Sequence, residues 1–300
     1  MKKMGDYANT EHIPVMTNEV ISALNIKPNG VYIDGTLGKG GHTKLIIKQL
    51  SENGLIIGID RDLEAIKFCK KYFRNEKISH SFFHESYHNF NLILDKLNIK
   101  KVDGILLDLG LSSVQLNSYH RGFSYNRDSD LDMRFNLNQK IKASNILNNF
   151  KPKQLSDIIY KYGEERRSRS IVKKIVELRP MVKVSDLVEA IRRSTPPKHR
   201  NKTLSRVFQA IRIKVNEEIK KLDQFLFSFI ERLKLNGRIV IISFHSIEDR
   251  LVKHHFKNIS KNGNILIHTK KPLIPSKNEI QKNKRSRSAK LRIAEKITNA

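Results

Sequence analysis

Three short β-rich runs, Val31–Asp34, Leu55–Asp60 and Val102–Asp108, punctuate the first third of the chain. Each ends in an aspartate, and helical segments lie between them. Strands that alternate with helices are joined by long crossovers and pair in parallel, so this stretch predicts an α/β sheet. A further run, Arg238–Phe244, carries four consecutive aliphatic residues, Ile239–Ile242, and follows Asn236-Gly237, a pair suited to stopping a helix. An unbroken aliphatic strand is buried on both faces.

At 300 residues the chain is long enough for two domains, or for one domain with a large insertion. Between Asn117 and Glu217 there is no comparable buried strand, and the pattern turns helical over Lys142–Asn149, Lys153–Tyr162, Glu165–Leu178, Val184–Ser194 and Leu204–Lys234. This predicts a sheet domain made of residues 1–116 and 217–300, interrupted between its fourth and fifth strands by a helical domain of residues 117–216. Lys and Arg total 57 against 30 Asp and Glu, a formal charge of +27. Such an excess concentrates polyanions at the surface and points to a nucleic-acid partner, although the abundance of Lys, Asn and Ile also fits an AT-rich genome. Basic residues gather within the insertion as Arg166, Arg167, Arg169, Lys173 and Lys174, and again as Arg192, Arg193, Lys198, His199, Arg200, Lys202 and Arg206. A charge run is usually a solvated face, but two in one insertion suggest an RNA contact surface. The basic stretch Lys270–Lys296 reads as a mobile tail or a phosphate-binding arm.

A lone cysteine, Cys69, excludes an intrachain disulfide and a cysteine-cluster zinc site, and no metal site is read from the chain. No run approaches the roughly 20 apolar residues that span a bilayer, and Met1–Glu11 has no apolar signal core. A cytoplasmic protein with no membrane partner is expected.

The segment from Val31 to His42, Val-Tyr-Ile-Asp-Gly-Thr-Leu-Gly-Lys-Gly-Gly-His, joins the first strand to a helix. Glycines at 38, 40 and 41 permit a tight turn and close approach of backbone to a ligand. The second strand then ends in Asp60, 20 residues after Gly40, where a carboxylate can accept both hydroxyls of a ribose. Together these features specify an adenosine-type cofactor. The spacing does not fit G-x-G-x-x-G, and no Gly-Lys-Ser/Thr follows to make a P-loop. Asp34-x-x-x-Gly38-x-Gly40 instead resembles the first motif of class I methyltransferases. The fourth strand ends at Asp108, which should face the same crevice as Gly40 and Asp60, with capping of the following turn as the plainer role.

Further ordered motifs are Gly104-Ile-Leu-Leu-Asp-Leu-Gly-Leu-Ser-Ser113, Arg121-Gly-Phe-Ser124, Leu131-Asp-Met-Arg134, Tyr162-Gly-Glu-Glu-Arg166, Val207-Phe-Gln-Ala-Ile-Arg-Ile213 and Ile242-Ser-Phe-His-Ser-Ile-Glu-Asp-Arg250. With Asp34-Gly-Thr-Leu-Gly-Lys-Gly-Gly-His42 they resemble, almost end to end, the ribosomal RNA small-subunit methyltransferase H family, also called MraW. The resemblance implies an α/β fold, a class I S-adenosylmethionine-dependent (Rossmann-like) sheet with an inserted all-helical substrate domain. It implies transfer of a methyl group from S-adenosylmethionine to N4 of a cytidine in the decoding centre of 16S rRNA, with the small ribosomal subunit as partner and a homodimer left open. It carries cofactor binding onto Gly40, Gly41, His42, Asp60, Tyr87, Asp108 and Gln115. Tyr87, following the third strand, either stacks on adenine or packs in the core.

The family departs here at Ser129-Asp130, where Gly-Pro is usual, at Ser170 in place of Arg, and at Lys202-Thr-Leu-Ser-Arg206 in place of His-Pro-Ala-Thr-Arg. Related amine methyltransferases place a proton acceptor in an Asp/Asn/Ser-Pro-Pro-aromatic motif after the fourth strand, which this chain lacks. The catalytic candidates are Asp108, His245, Ser246 and Glu248. His245–Arg250 reads equally as a helix start, with Ser246 as cap and Glu248 and Asp249 in the favourable first turn. Methylation of a ring carbon would need a cysteine nucleophile, and Cys69 is expected in a helix away from the strand ends. Phe123 and Tyr125, beside Arg121 and Arg127, offer stacking and phosphate contacts or serve as loop anchors. Two rivals remain: a non-catalytic rRNA-binding assembly factor on the same fold, and a nicotinamide dehydrogenase.

Overall fold

The structure is a computed structural model and describes residues 14–112, 115, 116, 118 and 120–298. Ser113, Asn117 and the Met1–Glu11 segment weighed above lie outside the described residues. The chain divides into two compact units, one comprising Leu111–Glu218 and the other the flanking segments up to Gly110 and from Ile219.

The flanking segments build the sheet. Along the chain they form α1 (Thr17–Leu24), β1 (Val31–Asp34), α2 (Gly41–Ile47), β2 (Leu55–Asp60), α3 (Leu63–Tyr72), β3 (Ser79–His84), α4 (Phe90–Lys96) and β4 (Val102–Asp108). The strand order is β3-β2-β1-β4, continued by β5 (Leu233–Ser243), then β7 (Lys290–Lys296) and β6 (Ile265–Ile267). Strands β1 to β5 pair in parallel, and β7 runs antiparallel to both β5 and β6. This order, with its reversed strand, is the Rossmann-like sheet of class I methyltransferases. Six of the seven β4 residues are buried, as a central strand covered on both faces requires. Side chains alternate between two cores. One gathers Ile46, Ile56, Ile66 and Leu106, and the other gathers Ile57, Phe90, Ile105 and Phe225. The strand order reverses between β1 and β4, which opens a crevice at their carboxyl ends.

Two sequence expectations are corrected in this unit. β5 starts earlier than Arg238: Leu233 already pairs with Val102, and the register slips before Gly104 meets Arg238. The slip takes up the turn at Asn236, whose φ is 60°. The supposed tail is also a structural element, because β7 pairs with β5 from Arg238↔Glu295 to Ser243↔Lys290. Its alternation places Leu291 and Ile293 in the core. Its charges are partnered there: Arg292 donates to Asp249 at 2.7 Å, and the Lys296 amine donates to the Ile230 carbonyl at 2.7 Å. Among the described residues no helix is long and apolar enough to cross a membrane.

The other unit is helical: α5 (Ala143–Asn149), α6 (Pro152–Gly163), α7 (Ser168–Glu177), α8 (Val184–Ser194) and α9 (Arg200–Asn216). They enclose a core of Ile146, Leu155, Ile159, Ile175, Leu187, Ile191, Val207 and Ile211. The long helix expected over Leu204–Lys234 is two helices, α9 and α10 (Glu218–Arg232), because Glu217 adopts a left-handed φ of 53°. Ahead of α5 a loop is tied down from inside. Arg121 donates to the Arg134 and Phe135 carbonyls at 3.0 and 2.9 Å, and Asn216 bonds both Phe135 N and Met133 O. Phe123 stacks on Phe135, while Tyr125 meets Phe208 edge-on and bonds Ser205 Oγ at 3.1 Å. Arg121, Phe123 and Tyr125 are therefore loop anchors.

Helices α6 and α9 touch where Gly163 removes a side chain. A Cβ there would stand 2.6 Å from the Arg206 carbonyl oxygen. Gly163→Ala is expected to force the helices apart and to lower stability by about 1–3 kcal/mol. Urea unfolding followed by circular dichroism measures this.

Candidate active site

Glycine supplies the turn that brings the β1–α2 loop over the sheet. Gly40 has φ 72°, and a Cβ on it would sit 2.5 Å from the Phe73 ring. The residue is both conformationally and sterically committed to glycine. The loop is then laced to the strand ends. Asp34 accepts hydrogen bonds from Thr43 Oγ1 at 2.7 Å and Thr36 N at 3.2 Å. Thr36 Oγ1 in turn accepts from Asp108 N at 2.6 Å, and Gly38 N donates to Asp60 Oδ2 at 2.7 Å. Asp34 and Thr36 were not among the expected site residues. Their signal was the Asp34-x-x-x-Gly38-x-Gly40 motif, which Asp34 opens and within which Thr36 falls.

The three strand-end aspartates titrate abnormally. Burial pushes Asp60 up to about 7 against the bonds from Asp62 N and Gly38 N. Burial likewise pushes Asp108 up to about 6, opposed by His42 and reinforced by Asp34 and Glu248. Asp34 is also raised by burial. Asp108 Oδ1 is buried with no hydrogen-bond partner among the described residues. Its Oδ2 lies 3.9 Å from His42 Nδ1. His42 is itself buried, and its Nε2 contacts the Val15 carbonyl at 2.9 Å. A carbonyl can only accept, so Nε2 carries a proton and donates it to Val15, while Nδ1 faces Asp108.

The neighbouring turn after β5 holds the remaining candidates. His245, rather than Ser246, caps the next helix, α11 (Ser246–Lys261): its Nδ1 accepts from Glu248 N at 3.3 Å. Ser246 is the first helical residue and is exposed. Glu248 is buried and accepts from Phe244 N at 3.1 Å, and His245 Nε2 lies 3.2 Å from its other oxygen. The structure thus brings Gly40, Gly41, His42, Asp60 and Asp108 together with the His245–Glu248 turn at one end of the sheet.

Tyr87 opens a short 3-10 turn after β3, beside Gly35, and its ring meets Phe225 edge-on at 5.7 Å. Gln115 belongs to the helical unit, where it forms a closed turn with Ser112: its Oε1 accepts from Ser112 N and its own N donates to Ser112 Oγ, both at 3.2 Å. Cys69 lies in α3 as expected, but its thiol packs beneath the glycine loop and donates to the Gly38 carbonyl at 3.4 Å. Burial and the Asp60 charge push this thiol far up, which leaves it unreactive.

A carboxyl raised by burial binds its proton more tightly in the folded state, so its contribution to stability is lost as pH rises through the folded value. The ligand-free protein is expected to melt at a lower temperature at about pH 8 than at about pH 5.5, with Asp60 and Asp108 responsible. Asp60→Asn should flatten that slope in differential scanning calorimetry.

With this geometry in view, known proteins are informative. The model of the MraW methylase family matches residues 9–297. The ribosomal RNA small subunit methyltransferase H of Thermosipho africanus is 48% identical over 294 residues, covering 96% of this chain and 98% of that protein. The proteins of the same name from Clostridium botulinum and Kosmotoga olearia are 45% and 46% identical, over 96% of this chain and 99% and 98% of theirs. A match of this length and identity has one meaning: the chain belongs to the MraW methylase family.

Proposed function

We propose that the protein methylates N4 of a cytidine in 16S rRNA, taking the methyl group from S-adenosylmethionine. The observation that carries this reading is the crevice between β1 and β4, where a glycine loop, a ribose-type carboxylate and a buried acceptor, Asp108 Oδ1, meet in a member of a methylase family. The residues fit the cofactor: the left-handed turn at Gly40, packed on Phe73, carries the loop across the strand ends, and Asp60 and Asp108 offer lone pairs to hydroxyl and ammonium groups. His42, Tyr87 and Gln115 complete the proposed set. When bound, S-adenosylmethionine supplies an electrophilic methyl group on a sulfonium.

The rest of the chemistry falls to the protein. A cytosine amine is a poor nucleophile because its lone pair is delocalised into the ring, so holding it in line supplies much of the rate. Among the four catalytic candidates, His245 caps α11 through Nδ1 and turns its buried Nε2 to Glu248 at 3.2 Å, Glu248 also receives Phe244 N, and Ser246 is exposed at the helix start. Asp108 keeps a buried oxygen without a partner and titrates near 6, close to working pH. We assign it the amine proton. The helical unit supplies the RNA surface through Arg166, Arg169, Lys173, Arg192, Lys198 and Lys202, all exposed. Other members of the two basic clusters are engaged within that unit: Lys174 with Glu177, Arg193 with Glu189, and Arg206 with Glu165.

Tritium from methyl-labelled S-adenosylmethionine is expected in 16S rRNA incubated with the protein, and nuclease digestion should yield N4-methylcytidine. Rejection would follow from unlabelled RNA or from label at another position. Asp108→Asn should slow single-turnover transfer by about 10²–10⁴-fold. The wild-type rate should fall about tenfold per pH unit below about 6 as Asp108 takes up a proton. Asp60→Ala should weaken cofactor binding about ten- to a hundredfold by calorimetry and leave RNA affinity unchanged.

A further inference from the structure

Between Lys270 and Lys290, on the way from β6 to β7, eight residues are Lys or Arg and one, Glu279, is acidic. The whole chain holds 57 Lys and Arg against 30 acids, so a Lys-rich composition does not by itself account for this imbalance. Nearby carboxylates do not neutralise it either. Glu279 accepts from Met16 N at 2.7 Å, and Asp249, which Lys290 reaches at 3.5 Å, is held by Arg292 at 2.7 Å. Lys270, Lys271, Lys277, Lys282, Lys284 and Arg287 are exposed, and among the described residues none of the six forms an ion pair. The backbone beneath them is fixed. His268 N and Leu273 N donate to the Ile293 and Leu291 carbonyls at 3.1 and 3.0 Å, which seams the segment to β7. Ser276 Oγ caps a short helix, α12 (Lys277–Lys282), by accepting from Glu279 N at 3.1 Å. Asn283 then caps a 3-10 turn, Lys284–Ser288, in which Ser286 is fully buried. The sheet register places this arm. Lys290 pairs with Ser243, and the neighbouring Ile242 pairs with Asp108, so the arm reaches the end of the sheet where the crevice opens. Glu279 ties it to the same place: Met16 follows Val15, whose carbonyl receives His42 Nε2, and His42 faces Asp108.

Exposed cations on a fixed backbone suit a polyanion. Each amine that meets a phosphate releases condensed counterions, and a scaffold ordered in advance loses little entropy on binding. Phosphate contacts of this kind set the register and orientation of a strand without reading its sequence. A nucleotide drawn into a crevice for methylation brings its flanking phosphates to the rim. We propose that this arm grips the phosphate backbone of the rRNA strand entering the crevice, chiefly through Lys282, Lys284 and Arg287, the three unpaired cations nearest Lys290 in the chain. This inference rests on the rRNA substrate proposed above and adds an RNA contact on the cofactor-binding unit itself.

In the full-length protein, Lys282→Gln, Lys284→Gln and Arg287→Gln together are expected to weaken filter binding of 16S rRNA about tenfold and to reduce its salt dependence by about two to three counterions. The melting temperature and the calorimetric affinity for S-adenosylmethionine should stay unchanged. A control removes the same charge at the other end of the sheet, through Lys48→Gln, Lys100→Gln and Lys101→Gln, exposed residues where α2 ends and β4 begins. It should retain most of the affinity and the salt dependence. Placement is read separately. The native thiol of Cys69 is buried, so Ser288→Cys offers one accessible site for an iron chelate. Hydroxyl radicals released there should cut 16S rRNA beside the methylated cytidine. An unaltered salt dependence, an equal loss in the control, or cuts remote from that cytidine would each overturn the arm's role and leave the rRNA substrate standing. Failure of the wild-type protein to bind 16S rRNA would overturn both.

Discussion

The crevice depends on one buried carboxylate. Asp34 ends β1 almost fully out of solvent and is held by Thr43 from the following helix and by Thr36 from the loop between them. Thr36 passes the connection to the Asp108 amide on β4. A charge taken out of water without such partners would be costly, so the hydrogen bonds offset part of the desolvation and in doing so fix the loop's path. Loop, helix start and two strand ends become one rigid piece. The glycines that follow can then approach a ligand from a defined position rather than as a flexible flap.

The same crowding sets the electrostatics. Asp34, Asp60 and Asp108 each terminate a parallel strand, and parallel strands bring their carboxyl ends to one side. Asp34 adds its repulsion to the burial that lifts both neighbours. Groups poised near neutral pH in a cleft are suited to proton transfer, and here the strand geometry that builds the cleft also perturbs them. His42 tempers the effect on Asp108 and is oriented by Val15, a residue 27 positions earlier.

The large positive charge is less available than its total suggests. Arg121 and Arg134 brace the loop ahead of α5, Arg292 lies buried against Asp249, and Lys296 is enclosed beside the Ile230 carbonyl. The departures from the family pattern also have local roles. Asp130 bonds Lys183 at 2.7 Å beside the start of α8, whereas Ser129 accepts from Val184 N through its backbone carbonyl, a bond that does not depend on its side chain. Ser205 holds the Tyr125 hydroxyl. Nothing in the structure explains Ser170, which is exposed on α7.

By itself the sequence determined the parallel strands β1, β2 and β4, the glycine loop, Asp60 and Asp108 at the strand ends, and the helical nature of residues 143–216. Each is written in local chemistry: aliphatic runs, turn-forming glycines and acids at fixed spacing. Tertiary structure alone decided what rests on partners distant along the chain. Strand β7 looked like a basic tail because its place depends on β5, some fifty residues away. Arg121 looked like a phosphate contact because the carbonyls that hold it arrive from Arg134 and Phe135. His245 displaced Ser246 as cap because the path of β5 sets the dihedral angles at the helix start, and Cys69 reached the glycine loop because α3 packs across β2 and β3. Periodicity and turn chemistry act within a few residues, whereas burial and ionisation depend on neighbours that only folding supplies.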